Sequence, residues 1–407
     1  MSTATFSYTV RDAKGVKVTG SLEADSEAAV ARRLKSMGYA PIEITRANAG
    51  MQKELSIPGF GPKVKLKDLA LFARQFATMI NSGLSLLRAM TILVEQTENP
   101  LLQKTLREVR QDVEQGNALS AAMARFPDVF PNLMVNMIKA GEVGGFLDQT
   151  LLQIAENYEK EVKLRGKIKS AMTYPVVVFV MAILAITVML IFVVPTFASI
   201  FSTLGGKLPA PTQLLVTFSK IVKIAIIPVV ILLIAFYFVW QRIKREERVR
   251  RALDPLKLKI PVFGPLFQKV ALARFTRNFG TMLRSGVPIL QALDIVADTS
   301  GNIVIADAVR DVQNSVRQGE SITAPLAQHE IFPAMVQQMM AVGEETGALD
   351  TMLTKIADFY DQEVEATSEQ LTALIEPLMI LFLGVVVGGM IIALYMPIFK
   401  VYDLVNS

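Results

Sequence analysis

Two stretches of twenty residues, 175–194 (PVVVFVMAILAITVMLIFVV) and 377–396 (PLMILFLGVVVGGMIIALYM), carry no charged side chain. A third, 224–240 (IAIIPVVILLIAFYFVW), is shorter and contains Pro228. About twenty apolar residues span the hydrocarbon core of a bilayer. Inside hydrocarbon only a helix or a closed barrel satisfies every backbone N–H and C=O. Three such runs therefore predict three transmembrane helices. The composition agrees: 52% of the 407 residues are hydrophobic, and the mean hydropathy is +0.40.

The flanking charges orient the spans. Lys163, Arg165, Lys167 and Lys169 precede the first, and Arg242, Lys244, Arg245, Arg248, Arg250 and Arg251 follow the second. The segment between them, 195–223, holds only Lys207, Lys220 and Lys223. Cytoplasmic flanks are enriched in Lys and Arg, so the N-terminus and 241–376 are expected in the cytoplasm. Three spans then send a short tail, 397–407, outside. The pI of about 9.2 follows from these flanks, and no nucleic-acid partner is expected.

An internal repeat governs the rest of the chain, and such periods decide architecture. At an offset of 203, Phe72, Arg74, Phe76, Thr78, Met79, Ser82 and Gly83 match Phe275, Arg277, Phe279, Thr281, Met282, Ser285 and Gly286. At an offset of 202, Gly141, Glu142, Gly145, Leu147, Asp148, Tyr158 and Glu161 match Gly343, Glu344, Gly347, Leu349, Asp350, Tyr360 and Glu363. Pro175 and Pro195 match Pro377 and Pro397. The repeating unit is one cytoplasmic domain plus one span, 64–170 with 175–194 and 271–376 with 377–396. A basic connector, 241–270, precedes the second copy.

Within the unit the apolar spacing is helical throughout. Leu69, Phe72, Ala73, Phe76 and Ile80 mark a first helix that Gly83 can end, as Gly286 can in the second copy. Further helices are expected near 84–95 and 100–115. Pro131 opens the helix that carries Gly141-Glu142. Leu147, Leu151, Ile154, Tyr158 and Val162 mark the last helix, and Leu349, Leu353, Ile356, Tyr360 and Val364 repeat its spacing. Short loops make these helices antiparallel neighbours. Gly141 and Gly343 are read as points of close helix approach, Glu142 and Glu344 as the paired carboxylates of a capping element, and Gly145 and Gly347 as helix ends. A binding or conformational role for this motif is the alternative. Gly384 and Gly388 form a small-xxx-small step in the third span, read either as packing within the chain or as contact with another helix.

Residues 1–46 lie outside the repeat. FSYTV, DAKG and VKVTGSLEA suggest a hairpin, a helix follows from Asp25 to Met37, and 41–45 can add a strand. The expected fold is therefore mainly α: two cytoplasmic helical bundles, three transmembrane helices and a small N-terminal α+β module. Residues 47–63, with Pro58-Gly59-Phe60-Gly61-Pro62, read as a linker. There is no cysteine and one histidine, His329. Gly205-Gly206-Lys207 lacks the rest of a phosphate-binding loop. No catalytic, metal or cofactor site is expected.

The segments FARQFATMINSGLSLLRA, AGEVGGFLDQTLLQIAENYEKEV, AMTYPVVV, LPAPTQ, FTRNFGTMLRSGVPILQAL and VGEETGALDTMLTKIADFYDQEV together resemble one family over nearly the full length. It is the F-protein family of bacterial type II secretion and its type IV pilus counterpart, the inner-membrane platform protein. LPAPTQ is more similar to the pilus branch. Ser85 departs from the proline common at that place, which Pro288 keeps in the second copy. The resemblance implies a non-enzymatic protein of the bacterial inner membrane. It implies contact with a cytoplasmic hexameric ATPase, pilin subunits and other inner-membrane pilus assembly proteins, and assembly as a homo-oligomer. A secondary transporter is the rival from another class; three spans without internal charge, and repeats that are mostly cytoplasmic, count against it.

The two copies differ in sign. Residues 63–170 hold 15 basic and 12 acidic side chains, whereas 271–376 hold 6 and 15. Such asymmetry points to different partners or to a contact between the copies. The basic groups Lys163, Arg165, Lys167 and Lys169, and Arg242, Arg245, Arg248 and Arg251, are candidates for contact with the motor or with lipid headgroups.

Overall fold

The computed structural model describes residues 4–11, 17–24, 26–36, 39–46, 63–203, 208–244 and 246–405. The chain divides into two compact units, Met1–Lys63 and Val64–Ser407. In the first, strands β1 (Ala4–Arg11), β2 (Lys17–Ala24) and β3 (Ala40–Arg46) form an antiparallel sheet in the order β2-β1-β3. Helix α1 (Glu27–Ser36) buries Val30 and Leu34, four residues apart on one face, against Tyr8, Ala24 and Tyr39. The expected DAKG turn and almost all of the linker fall outside the described residues, as do Gly205-Gly206-Lys207.

The second unit is helical among its described residues. The first repeat contains α2 (Leu66–Asn81), α3 (Leu86–Gln96), α4 (Pro100–Glu114), α5 (Leu119–Ala124), α6 (Asn132–Gly144) and α7 (Leu147–Val188). A π-helical turn, Met189–Val193, joins α7 to α8 (Val194–Thr203). Next come α9 (Ala210–Ile243) and α10 (Glu247–Lys259). The second repeat returns the pattern as α11 (Gly264–Arg284), α12 (Ile289–Thr299), α13 (Ile303–Arg317), α14 (Thr323–Leu326), α15 (Ala334–Thr346) and α16 (Leu349–Val405).

Helix α7 belongs to both bundle and membrane, and so does α16. The apolar runs begin well inside these helices, and Pro175, Pro377 and Pro397 are accommodated within them. Among the described residues, three helical stretches are long and apolar enough to cross a membrane: Leu147–Phe201, Ala210–Gln241 and Leu349–Pro397. The helix that carries the middle run starts much earlier than the run itself. Pro209 is its N-cap residue and Pro211 lies in its first turn. Lys220 and Lys223, placed by hydropathy in the loop 195–223, therefore stand on α9. Proline is well suited to a first helical turn, a signal that a window of apolar residues passes over.

The membrane helices meet through Leu190, Val194, Met390 and Leu394. The π-turn releases backbone carbonyls from regular pairing, and the Ser219 hydroxyl donates to the carbonyl of Leu190. The Thr212 hydroxyl likewise donates to the Ala393 carbonyl at 2.5 Å. A Cβ added at Gly384 or Gly388 would meet nothing within 4 Å, so neither glycine packs against another helix of this chain.

Each bundle core is built on the same aromatic trio. The Phe72 ring lies 5.6 Å from that of Phe76 and 6.0 Å from that of Phe130, tilted against both. Phe275 lies 5.9 Å from Phe279 and 5.4 Å from Phe332. Phe76 and Phe279 are fully buried. Truncating a buried Phe to Ala removes transfer energy and leaves a cavity, at about 3–5 kcal/mol. Phe76→Ala and Phe279→Ala should each lower the unfolding free energy of the detergent-solubilised protein by an amount in that range, whereas Leu71→Ala, at a site 58% exposed, should change it little.

Candidate functional site at the seam between the repeats

The Gly-Glu motif is a clamp within each bundle. Glu142 accepts hydrogen bonds from the backbone N–H groups of Leu119 (2.5 Å) and Ser120 (2.9 Å), at the start of α5. Glu344 accepts from the Ile322 N–H at 2.7 Å and from the hydroxyls of Ser321 (2.9 Å) and Thr323 (3.2 Å), at the start of α14. A carboxylate there satisfies donors that a helix leaves unpaired at its N-terminus. One residue earlier, a Cβ on Gly141 would stand 2.6 Å from the Thr150 hydroxyl oxygen and 3.2 Å from Leu147 Cα. A Cβ on Gly343 would stand 3.0 Å from Leu349 Cα and 3.0 Å from Met352 Cγ. Hence only glycine lets α6 and α15 fold back so closely on the helix that follows. Gly145 (φ 74°) and Gly347 (φ 71°) make the reversal in the left-handed region. Gly83 and Gly286 also have positive φ, after α2 and α11.

The two repeats are bolted together by polar groups. Helix α7 lies in a groove formed by α11 and α16 and runs parallel to α16. Asn157 donates from Nδ2 to Asn278 Oδ1 and to Thr281 Oγ1, both at 3.3 Å. Gln153 accepts from the Ser285 hydroxyl, and Gln291 donates to Asn136 Oδ1 at 2.9 Å. Lys160 meets Asp358 at 2.7 Å, and Lys167 pairs with Glu365. Nearer the membrane the Thr372 hydroxyl donates to the Ala171 carbonyl at 3.1 Å. The opposite charge bias of the two copies thus serves, in part, a contact between them.

Glu161 is the buried centre of this seam. Its Oε1 accepts from Arg274 Nη2 and from Arg165 Nε, each at 2.8 Å, and Arg277 Nη1 lies 3.7 Å from Oε2. Burial alone would lift this carboxyl, but Arg274 and Arg165 outweigh it and hold it below the usual carboxylate range. Arg277 also donates to Asp361, whose carboxyl burial lifts above the ordinary value despite the guanidinium. The equivalent pair in the first copy, Arg74 and Glu159, stays half-exposed. The equivalent of Glu161, Glu363, bonds Lys269 at 2.7 Å within its own repeat. In the first copy Leu66 occupies the place of Lys269 and Leu71 that of Arg274. Glu161 therefore reaches across to the second repeat for two of its three cations. That substitution of charge for leucine between otherwise matching helices was the sequence signal for the seam, and periodicity alone passes over it.

The basic candidates separate. Arg165 and Lys167 are used inside the seam, while Lys163 and Lys169 are exposed. Arg251 pairs with Glu247 at 2.8 Å on the surface of α10, and Arg248 is exposed beside it. Arg242 lies in the last turns of α9, and Arg245 lies outside the described residues. His329 meets Asp311 at 3.1 Å.

The family model "Type II secretion system (T2SS), protein F" matches residues 72–195 and again 275–397. A second, "Type II secretion system protein F, N-terminal domain", matches 3–45. The chain belongs to the type II secretion system protein F family. The doubled match begins at Phe72 and Phe275 and ends at Pro195 and Pro397, so each family domain is one bundle with its span. Relatives in this F family include the "Type IV pilus assembly protein PilC" of Myxococcus xanthus, 45% identical over 98% of this chain and 95% of that one. The protein of the same name from Thermus thermophilus is 45% identical over 97% and 98%. The "Type II secretion system protein F" of Xanthomonas campestris is 34% identical over 99% of both. Three apolar helices together with this family fit an inner-membrane protein.

Two outcomes test the geometry. Gly141→Leu and Gly343→Leu force a side chain into an occupied helix contact, and overpacking typically costs about 1–3 kcal/mol. Both should lower the denaturation midpoint, whereas Gly389→Leu, where a Cβ meets nothing within 4 Å, should not. Glu161→Ala strands two arginines in a buried site, at about 3–5 kcal/mol. The carboxyl of Glu161 is depressed in the folded state, so its contribution is present above the unfolded pKa and is lost as pH falls through the folded one. The stability gap between wild type and Glu161→Ala, followed by denaturant unfolding, should therefore be full at neutral pH and shrink in acid below about pH 4.

Proposed function

We propose that this chain is the inner-membrane platform of a type IV pilus assembly machine. The observation that carries this reading is its 45% identity, over nearly the whole of both chains, to relatives named for type IV pilus assembly. The relatives named for type II secretion are more distant, at 34% and 33%, and a secretion platform is the alternative. On this reading the protein is not an enzyme. It transmits the cycle of a cytoplasmic hexameric ATPase to pilin subunits entering or leaving the membrane.

The build of the repeats supports such a role. A helix rises 1.5 Å per residue, so the 57 residues of α16 make a rod roughly 85 Å long. A displacement applied to either bundle passes into the membrane along one uninterrupted helix. The charged seam makes the two bundles move as a single body. The N-terminus lies in the cytoplasm and the C-terminus outside, a reading supported by the basic flanks. Gly384 and Gly388, free of neighbours within the chain, suit contact with a partner helix.

Three experiments test these statements. Deletion should abolish surface pili, and the wild-type chain should restore them; pili in the deletion strain, with secretion lost instead, would favour the alternative. Reporter fusions at Ser2 and Ser407 should report opposite sides of the membrane. Reversing Arg245, Arg248 and Arg251 to Glu should reduce co-purification with the ATPase while abundance and insertion persist; loss of insertion would instead assign these arginines to topology or lipid.

A further inference from the structure

Each repeat contains both halves of the seam, yet each half is used once. Helix α7 docks through the stripe Gln153, Asn157, Lys160, Leu164, Lys167 and Ala171. The equivalent stripe on α16 is Lys355, Phe359, Gln362, Ala366, Glu369 and Ala373, and every one of these residues is exposed. The receiving groove of the second repeat is covered: Arg277, Asn278 and Ser285 are buried. Its equivalents in the first repeat are uncovered, with Arg74 and Gln75 partly exposed and Ser82 exposed. Along α7 the receiving positions Glu156, Lys163 and Ser170 are exposed too.

We infer that these open halves are occupied by a second copy of this chain: the α16 stripe of one copy docks in the α2–α7 groove of its partner, and the reverse. This deepens the reading that the chain assembles as a homo-oligomer and supplies the surface.

The intrachain seam provides the template, and the chemistry of its rim carries over, while at its centre Phe359 stands in the place of Asn157 and Glu363 keeps its own Lys269. Lys167 with Glu365 becomes Glu369 with Lys163, an ion pair of reversed sign. The Thr372 hydroxyl on the Ala171 carbonyl becomes the Ser170 hydroxyl on the Ala373 carbonyl. Lys160 with Asp358 becomes Gln362 with Glu156, a neutral amide on a carboxylate. The hydrogen bond of Gln153 with Ser285 becomes Lys355 on the Ser82 hydroxyl. No like charges meet at these positions.

The geometry also limits the number of copies. The contact is heterologous, because α7 and α16 use different faces, and such contacts form rings or open chains. The inserting stripe (153, 157, 160, 164, 167, 171) and the receiving stripe (152, 156, 159, 163, 166, 170) are one residue apart, about 100° around an α-helix. A square ring of four parallel helices needs about 90° between successive contacts. Two copies, each giving one α7 and one α16, thus close the ring as α7–α16–α7–α16. Both helices run in the same direction into the membrane, so a two-fold axis along the membrane normal relates two copies of identical topology. No edge is left open.

The chain contains no cysteine, so engineered pairs report contacts directly. Tagged Lys163→Cys and untagged Glu369→Cys copies, co-expressed and oxidised with copper phenanthroline in native membranes, should form a mixed disulfide at dimer mass. Lys160→Cys and Asp358→Cys on separate copies should form none, since that pair meets within one chain. A single copy carrying both Lys163→Cys and Glu369→Cys should stop at dimer mass. In detergent, Lys163→Glu should reduce the dimer fraction measured by native mass spectrometry at least tenfold, and Lys163→Glu/Glu369→Lys should restore it. A dimer that persists in Lys163→Glu without the mixed disulfide would overturn this interface, and a ladder of higher bands from the doubly substituted chain would overturn the closure.

Discussion

A peptide group in hydrocarbon has no water to bond, and this constraint sets the shape of the two helical bundles as much as that of the spans. The chain must cross as helix, and in both repeats that helix begins well before the apolar run. Helix α7 and helix α16 are therefore the posts against which each bundle is assembled: α2 and α6 pack on α7, and α11 and α15 pack on α16. The glycine at Gly141 or Gly343 and the left-handed turn that follows bring the preceding helix back along the post. The carboxylate next to that glycine then fixes a short helix of the same bundle. One motif of a few residues thus joins the bundle to the rod that enters the membrane.

The seam shows how duplication becomes asymmetry. The aromatic trios, the Gly-Glu clamps and the Arg–carboxylate pairs Arg74–Glu159 and Arg277–Asp361 recur at equivalent positions in both copies. Two positions on the first helix of each bundle do not: leucines at 66 and 71 face a lysine and an arginine at 269 and 274. The buried Glu161 then has no counterpart of the Lys269 that Glu363 has; besides Arg165 of its own repeat it takes Arg274 and Arg277 from the other. Removing a carboxylate from water costs several kcal/mol unless cations replace the solvent, so the same group that would weaken an isolated bundle strengthens the pair. The net negative bias of the second copy fits this arrangement, since Asp358 and Glu365 receive Lys160 and Lys167.

For a platform protein this division is mechanically sensible. In the proposed role, two bundles locked by buried charge and continued into the membrane by long helices would transmit force with little loss to internal bending. The faces left open lie beside the lock, on the same rods, and the ring of four helices inferred from them would place the two copies around a common axis along the membrane normal.

Much of this was legible before any coordinates. Apolar run length required three helices across the bilayer, because no other open backbone survives there. The repeat at offsets of 202 and 203 required two similar bundles, and helical spacing from Leu69 to Ile80 and from Leu147 to Val162 located their walls. Glycines at 83, 145, 286 and 347 marked helix ends, since left-handed backbone strongly favours that residue. What tertiary structure alone decided was which groups meet. Glu142 could not be seen to cap the helix at Leu119, nor α9 to begin at Ala210, nor Glu161 to be shared among Arg165, Arg274 and Arg277. Periodicity reports which face of a helix is buried, and it carries no record of the surface that covers it. That choice belongs to the packing of elements distant in sequence, where a single charge replaced by leucine changes the partner.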